Sequence, residues 1–471
     1  MAVPTEGSAS AAPSRAVGRL LIPLALAQFI CSFAGSNMNV MINDISEDLD
    51  TTVQGVQITI TIFLLVMAAL MIPGGKLTDR YGRTRCFRLG LALYGIGALI
   101  SAISPGLGIL ILGNSILEGV GTALLIPPVY ILTTLLFTTV SSRAKAFGAI
   151  SAAAGLGAAA GPLIGGLITW ALSWRWAFVF QALIIVAIIW FSRRLDDPLP
   201  ADPTKRFDVR GAVLSASGLV LAVAGILAAD NSLWLMLGLL AAGALLLVLF
   251  FRSVRAKERA GEEPLLSSAL FRNRTANLGL ITQNTQWLVL MGISFVVAAY
   301  LQVIRGYNAI ETGVIFTAAT VGLLLTSFGA GRFAARRTQR SLIAAGFVLT
   351  IAGITVFLAM VASSPNVWAL APGLFLIGLG VGLMLTPSVN VVQSAFDESQ
   401  QGEISGLSRS VSNLGSSMGT AIAGTIVVAG IAATPERSYG LALASLAVVA
   451  AIGLIAALMM PRVPRPTPPA T

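Results

Sequence analysis

Histidine is missing from this chain altogether, and charge is scarce: 11% of its 471 residues are Asp, Glu, Lys or Arg. Without histidine, His-based metal centres and the commonest general base are excluded. A soluble protein carries about 25% charged residues, so no soluble domain large enough to hold its own core is expected. Cysteine occurs twice. Cys31 reads as mid-span and Cys86 as the start of a span, and these different depths argue against a disulfide. Neither cysteine has metal-ligand spacing. No nucleotide loop, metal cluster or nucleophile–base set is found, so neither enzyme chemistry nor a cofactor is expected.

What is there is apolar: 56% of the residues are hydrophobic. Runs of about 20 apolar residues recur along nearly the whole chain, the length a bilayer requires. They do not alternate as the strands of a membrane barrel do. The expectation is an all-α polytopic membrane protein with fourteen transmembrane helices. The spans read as 18–42, 53–74, 86–104, 107–135, 146–170, 175–192, 211–229, 233–252, 276–302, 311–331, 341–361, 367–392, 405–431 and 438–461.

The net charge of +10 comes from 30 Lys and Arg against 20 Asp and Glu. Its distribution argues against nucleic acid as a partner. Nearly all the cations lie in short loops on one side, and Arg175, Arg305 and Arg437 fall on the other. This is the positive-inside pattern, with anionic lipid headgroups as the counter-charge. It puts both termini in the cytoplasm of a cell-membrane protein. The first residues, "MAVPTEGSASAAPSR", are small and polar and read as a disordered tail. No cleavable signal peptide is seen, since the first apolar run is long enough to remain a span.

A weak internal repeat is present. "GKLTDRYGR" (75–83) and "GRFAARRTQ" (331–339) align 256 residues apart, with Gly75 on Gly331, Leu77 on Phe333 and Arg80 on Arg336. Repeated halves are common in transporters. The expected organisation is a tail over 1–17, a six-helix bundle over 18–192, and a linker with two inserted helices over 193–275. A second six-helix bundle follows over 276–461, then a tail over 462–471.

"GKLTDRYGR" resembles the loop 2–3 signature of the major facilitator superfamily, G-x-L-x-D-R-x-G-R, through Gly75, Leu77, Asp79, Arg80, Gly82 and Arg83. "GAISAAAGLGAAAGPLIGG" resembles the span 5 signature of drug antiporters through Gly148, Gly157, Gly161, Pro162, Gly165 and Gly166. Glycines a turn apart let two backbones approach closely, and Pro162 favours a kink. "SWRWAF", "FDVRG" (207–211) and "GEISGLSRSVSNLGSSMGTAIAGT" (402–425) are also similar to the fourteen-span drug:proton antiporter branch. The resemblance covers residues 18–461. It implies two six-helix bundles plus two inserted helices, alternating access and a central cavity. It also implies export of drugs or other amphipathic small molecules, coupled to protons, by a monomer.

Two departures from that pattern stand out. Ala34 occupies the place of the branch's span 1 aspartate. In span 4, Ser115 occupies the place of an arginine and Glu118 that of a glutamine. Glu118 falls about eleven residues into its span, roughly 16 Å deep at 1.5 Å per residue. A charged carboxylate there is costly, so it is held neutral, paired or facing a wet cavity. Glu118 is therefore the proton-coupling candidate, with a structural glutamate bonded to Asn114 or a neighbouring helix as the alternative. The substrate-cavity candidates are Asn37, Asn39, Asn43, Asn114, Gln283, Asn284 and Gln286, with Trp287, Met291 and Phe295 as a soft apolar surface. Interhelical bonding of the amides is the competing reading. Asp44, Glu47, Asp48, Asp50, Asp230 and Glu311 read as solvated residues near span ends. Two other functions stay open: export of lipids or specialised metabolites without proton coupling, and a non-transporting sensor or scaffold on the same fold.

Overall fold

The computed structural model describes residues 14–137, 140–193, 195–198, 201–202, 206–229, 232–363, 366–397, 400–431 and 435–461. Among them, fourteen helices are long and apolar enough to cross a membrane, and no strand occurs. The first seven are α1 (Leu20–Asp48), α2 (Val53–Tyr81), α3 (Arg83–Ala102), α4 (Leu107–Leu136), α5 (Ala146–Ala171), α6 (Trp174–Ser192) and α7 (Val209–Leu227). The rest are α8 (Leu233–Arg259), α9 (Arg274–Ile304), α10 (Ala309–Ser327), α11 (Gln339–Val361), α12 (Val367–Gln393), α13 (Glu403–Gly430) and α14 (Arg437–Met459).

Several helices outrun the apolar runs that predict them. The first begins at Ser14 and its span continues to Asp48 through a 3-10 turn at Met38–Met41. Asp44 and Asp48 thus lie on its last helical segment, and Asp48 is held there by Arg175 and by the Trp174 indole N–H at 3.0 Å. Glu311 lies in the first turn of α10, exposed as a span-end residue, and completes a capping pair: it accepts from the Asn308 amide at 2.9 Å, and Asn308 accepts from its amide at 3.0 Å. Such reciprocal bonds satisfy donors a helix start would otherwise leave open. The expected tails 1–13 and 462–471, Asp230, and the side chains of 331–336 lie outside the described residues.

The helices pack in one pattern used twice. α1 packs on α5, α2 on α4, and α3 on α4 and α6. Likewise α9 packs on α13, α10 on α12, and α11 on α12 and α14. The two sets meet along two broad seams, α2 with α13 and α5 with α10, which exchange places when the halves are swapped. Close backbone contacts repeat as well. A Cβ at Gly157 or Gly161 of α5 would strike α1 at Phe29 or Ser36. A Cβ at Gly415 or Gly419 of α13 would strike the Asn284 or Leu288 carbonyl of α9. The glycines of "SNLGSSMGT" therefore do in the second half what the span 5 glycines do in the first.

α7 and α8 pack on each other, and α7 also lies against α2 and α13. Val223 of α7 is buried with Leu65 of α2 and Ala421 of α13. The inserted pair thus covers one of the seams. α8 presents Trp234, Leu235, Leu245 and Val248 outward, as suits a helix facing lipid tails.

Candidate functional site

A cleft lies between the halves. Leu64, Met67 and Met71 of α2 and Trp287 and Met291 of α9 make its apolar wall. Gln28, Ser412, Asn413 and Ser416 supply polar edges. Among the described residues, Arg409 of α13 is the one charged side chain lining it. Arg409 stacks over the Tyr130 ring with its guanidinium carbon 4.6 Å from the centroid, and donates to the Tyr130 hydroxyl. That hydroxyl in turn donates to Gln28 at 3.1 Å.

Contacts between the halves bracket the cleft at both ends. At the end carrying the basic loops, Lys76 pairs with Glu403 at 2.6 Å, and Arg409 meets Tyr130. At the far end, the Asn43 side chain donates to the Gln302 carbonyl at 2.9 Å, and Gln302 donates to the Asn39 carbonyl at 2.8 Å. There a Cβ on Gly166 would strike the Ala309 carbonyl, and one on Gly313 would lie 2.5 Å from that of Pro162.

Of the amides expected in the cavity, several are spent on holding helices together. Asn39 donates to Ser294 at 3.1 Å, and Asn284 to the Val411 carbonyl at 2.9 Å. Gln283 accepts from Ser408 at 2.8 Å, and Gln286 from Ser388 at 2.9 Å. Trp287 and Met291 line the cleft, whereas Asn37, Asn39, Asn43, Asn114, Gln283, Asn284 and Gln286 do not. Phe295 is fully buried. Amides at membrane depth find partners wherever neighbouring helices offer them, and here the neighbours are other spans.

Glu118 is fully buried and does not line the cleft. It ends a π-helical stretch, Ile111–Glu118, and its Cγ faces Gly97, where an added Cβ would lie 2.9 Å away. The space left by Gly97 is what admits the glutamate beside α3. The Tyr94 and Ser101 hydroxyls stand next to the carboxyl. Both are committed elsewhere, Tyr94 to Gln181 at 2.5 Å and Ser101 to the Gly97 carbonyl at 2.9 Å. Neither Glu118 oxygen has a hydrogen-bond partner among the described residues, nor do the side-chain amides of Asn37 and Asn114. The Asn114–Glu118 bond of the alternative reading is not formed. Ser115, one turn earlier, donates to the Thr59 carbonyl at 2.7 Å. Between Glu118 and the cleft stands Cys31, whose thiol donates to Thr122 at 3.7 Å.

The loop 2–3 motif is tied down at the basic end. Gly82 has φ +95°, a conformation open to glycine. Asp79 pairs with Arg83 at 2.8 Å, and Asp197 accepts from the Arg83 amide at 2.5 Å. The Asp202 amide donates to the Asp79 carbonyl at 3.3 Å. Gly75 has room around it, while Gly74 is pressed against the Ala123 backbone. Arg80 lies over Tyr81 at 5.5 Å and lines a crevice with Lys76, Asp79 and Asp208. Asp208 pairs with Lys257 at 2.9 Å. Burial raises its affinity for a proton, but bonds from the Gly211 and Leu265 amides and the Lys257 ammonium outweigh that. They hold the carboxyl below its ordinary range.

The span 5 motif divides by face. Gly157, Gly161 and Gly165 abut α1 within their own half. Gly166 and the Pro162 carbonyl meet α10 of the other half. Pro162 sits in a continuous helix, and Gly148 has no described atom within 4 Å of an added Cβ. The motif is therefore a two-sided packing surface whose far-end face meets the other half. Arg409 is the residue sequence reasoning misses. Its signal is a lone cation inside an apolar span, which points to a polar partner or a wet cavity.

The chain matches the Major Facilitator Superfamily over residues 24–271, 204–420 and 279–471. It is 30% identical over 438 residues to the puromycin resistance protein of Streptomyces alboniger, covering 92% of this chain and 86% of that one. It is 27% identical over 461 residues to the cephamycin export protein of Amycolatopsis lactamdurans, covering 95% and 93%. To the probable actinorhodin transporter of Streptomyces coelicolor it is 28% identical over 401 residues, covering 83% and 69%.

Proposed function

We propose that this chain, which belongs to the Major Facilitator Superfamily and is a multi-pass membrane protein, exports amphipathic small molecules by alternating access, driven by proton entry. The observation that carries the reading is the cleft between two halves that share one packing pattern and meet along matched seams. Relatives named for antibiotic resistance and export support the outward direction. The basic end faces the cytoplasm of a cell membrane, because lysine and arginine resist translocation. Both termini lie there, and the carrier works as a monomer with lipids as its surroundings.

Alternation then has named parts. Opening toward the cytoplasm requires Lys76–Glu403 and Arg409–Tyr130 to part. Opening outward requires Asn43–Gln302 and the Gly166 and Gly313 contacts to part. Bistable interfaces of this kind convert a small difference in binding into a rigid-body change. Glu118 carries the coupling proton. Of the charged groups described, none pairs with it, so a proton is what compensates its charge. Moving α1 against α4 would part Cys31 from Thr122 and give the carboxyl a route to the cleft. Export without protons is the second reading, and the observation favouring it is that Glu118 does not line the cleft.

Proteoliposomes with an imposed pH gradient and a panel of amphipathic dyes decide between them. Wild-type protein should drive uphill export, and Glu118→Gln should retain downhill exchange while losing uphill export. Uphill export by Glu118→Gln at the wild-type rate would remove the proton role. Failure of wild-type protein to move any dye would favour a sensor or scaffold.

A further inference from the structure

The cleft has a sign. A buried carboxylate in span 4 suggests a cavity suited to cations, yet Glu118 lies behind the Cys31–Thr122 pair. The charge facing the cleft is Arg409. No carboxylate lies within ion-pair distance of it among the described residues, and it donates to the Tyr130 hydroxyl. That hydroxyl orients the guanidinium without neutralising it. The fork of Arg409 thus keeps N–H donors and a full positive charge at the edge of a cleft walled by Met67, Met71, Trp287 and Met291. A half-buried guanidinium is where charge-assisted, bidentate bonds to a carboxylate, phenolate or sulfonate form best. Methionine and tryptophan surfaces accept flat apolar bodies of varied outline.

We propose that Arg409 anchors the substrate, so that the cleft selects amphipathic molecules bearing an anionic group on an aromatic body over cationic ones of the same shape. This names the substrate class of the exporter proposed above and rests on that reading. Tyr130 acts as a positioning residue: its ring and hydroxyl hold the guanidinium toward the cleft. Because Arg409 and Tyr130 belong to opposite halves, an anion engaging the guanidinium competes with a contact that spans them. Substrate binding and release of that contact are thereby linked.

The test uses purified full-length protein in lipid nanodiscs and two dyes on the same xanthene ring system, fluorescein as the anion and rhodamine 123 as the cation. An anionic naphthalene sulfonate and ethidium form a second pair. Quenching of tryptophan fluorescence reads binding. Wild-type protein should bind the anion of each pair about tenfold or more tightly than the cation. Arg409→Gln should abolish that preference, and Arg409→Lys, which keeps the charge but not the fork, should keep part of it. Tyr130→Phe should weaken anion binding while leaving its sign. Each variant is first checked for a monodisperse elution profile, and Arg409→Lys carries the test should Arg409→Gln fail to fold. Equal wild-type affinity within both pairs, no binding of either anion, or equal weakening of anions and cations by Arg409→Gln would overturn the proposal. Anion-selective binding without transport of any dye would instead sink the exporter reading and leave the site standing.

Discussion

Gly313→Ala tests the far-end seal directly. A methyl there would lie 2.5 Å from the Pro162 carbonyl oxygen and 3.2 Å from the Leu163 Cα on the opposite half. An ordinary carbon–oxygen contact is about 3.3 Å, so α5 and α10 must part by about 0.8 Å. Overpacking of this kind costs about 1–3 kcal/mol. It is felt only while the far end is closed. The gain in helix propensity from Gly to Ala, about 0.5–1 kcal/mol, is common to both conformations and cancels from their ratio. The variant should therefore shift the population toward far-end-open molecules by about 5- to 150-fold. Spin-label distances across the far end, one label on each half, report that shift. Both native cysteines are buried, which keeps them from competing for the label. Gly148→Ala is the control, since no described atom lies near its Cβ position, and it should leave the distances unchanged. An unaltered distance distribution in Gly313→Ala would refute the seal, and the α5–α10 contact would then be packing common to every state.

Other expectations concern the basic end and the first half. Lys76→Ala should favour cytoplasm-open molecules by up to about fivefold, since a half-exposed pair is worth about 0–1 kcal/mol. The exchange Lys76→Glu with Glu403→Lys should restore the wild-type balance in the same spin-label measurement. Asp208→Asn should destabilise the protein by about 1–3 kcal/mol near neutral pH, because the Gly211 and Leu265 amides and Lys257 lose an anionic acceptor. The Asp208 carboxyl is held below its ordinary range, so its contribution is complete above the unfolded value and lost as pH falls through the folded one. The gap in melting temperature between wild type and Asp208→Asn should therefore close on acidification. A gap that widens toward low pH would contradict the assignment. Gly97→Ala would put a methyl 2.6 Å from the Gly113 carbonyl and 2.9 Å from the Glu118 Cγ. It should impair gradient-driven export more than downhill exchange, and equal loss of both would separate Glu118 from coupling.

The sequence by itself determined the class and the kinship. Runs of apolar residues long enough for a bilayer are a property along the chain, and so are the positions of lysine and arginine. Fourteen spans, their number and rough bounds, followed from hydropathy, and "GKLTDRYGR" and the span 5 glycines carried the family. Glu118 was legible as a residue out of place, because one carboxylate among apolar neighbours breaks a local rule. What only the tertiary structure decided is which way each polar side chain looks. A span turns by about 100° per residue, so an error of one residue in register carries a side chain from a cleft to a helix contact. The π-helical turn Ile111–Glu118 introduces such a shift. Glu118, the last residue of that turn, meets Gly97 and Tyr94 instead of the cleft. Asn39 and Gln283 look no different in sequence from cavity residues, yet Ser294 and Ser408, far along the chain, occupy them. Arg409 lines the cleft and bonds there to Tyr130, on the other half. A partner 279 residues away leaves no trace in the residues around either one.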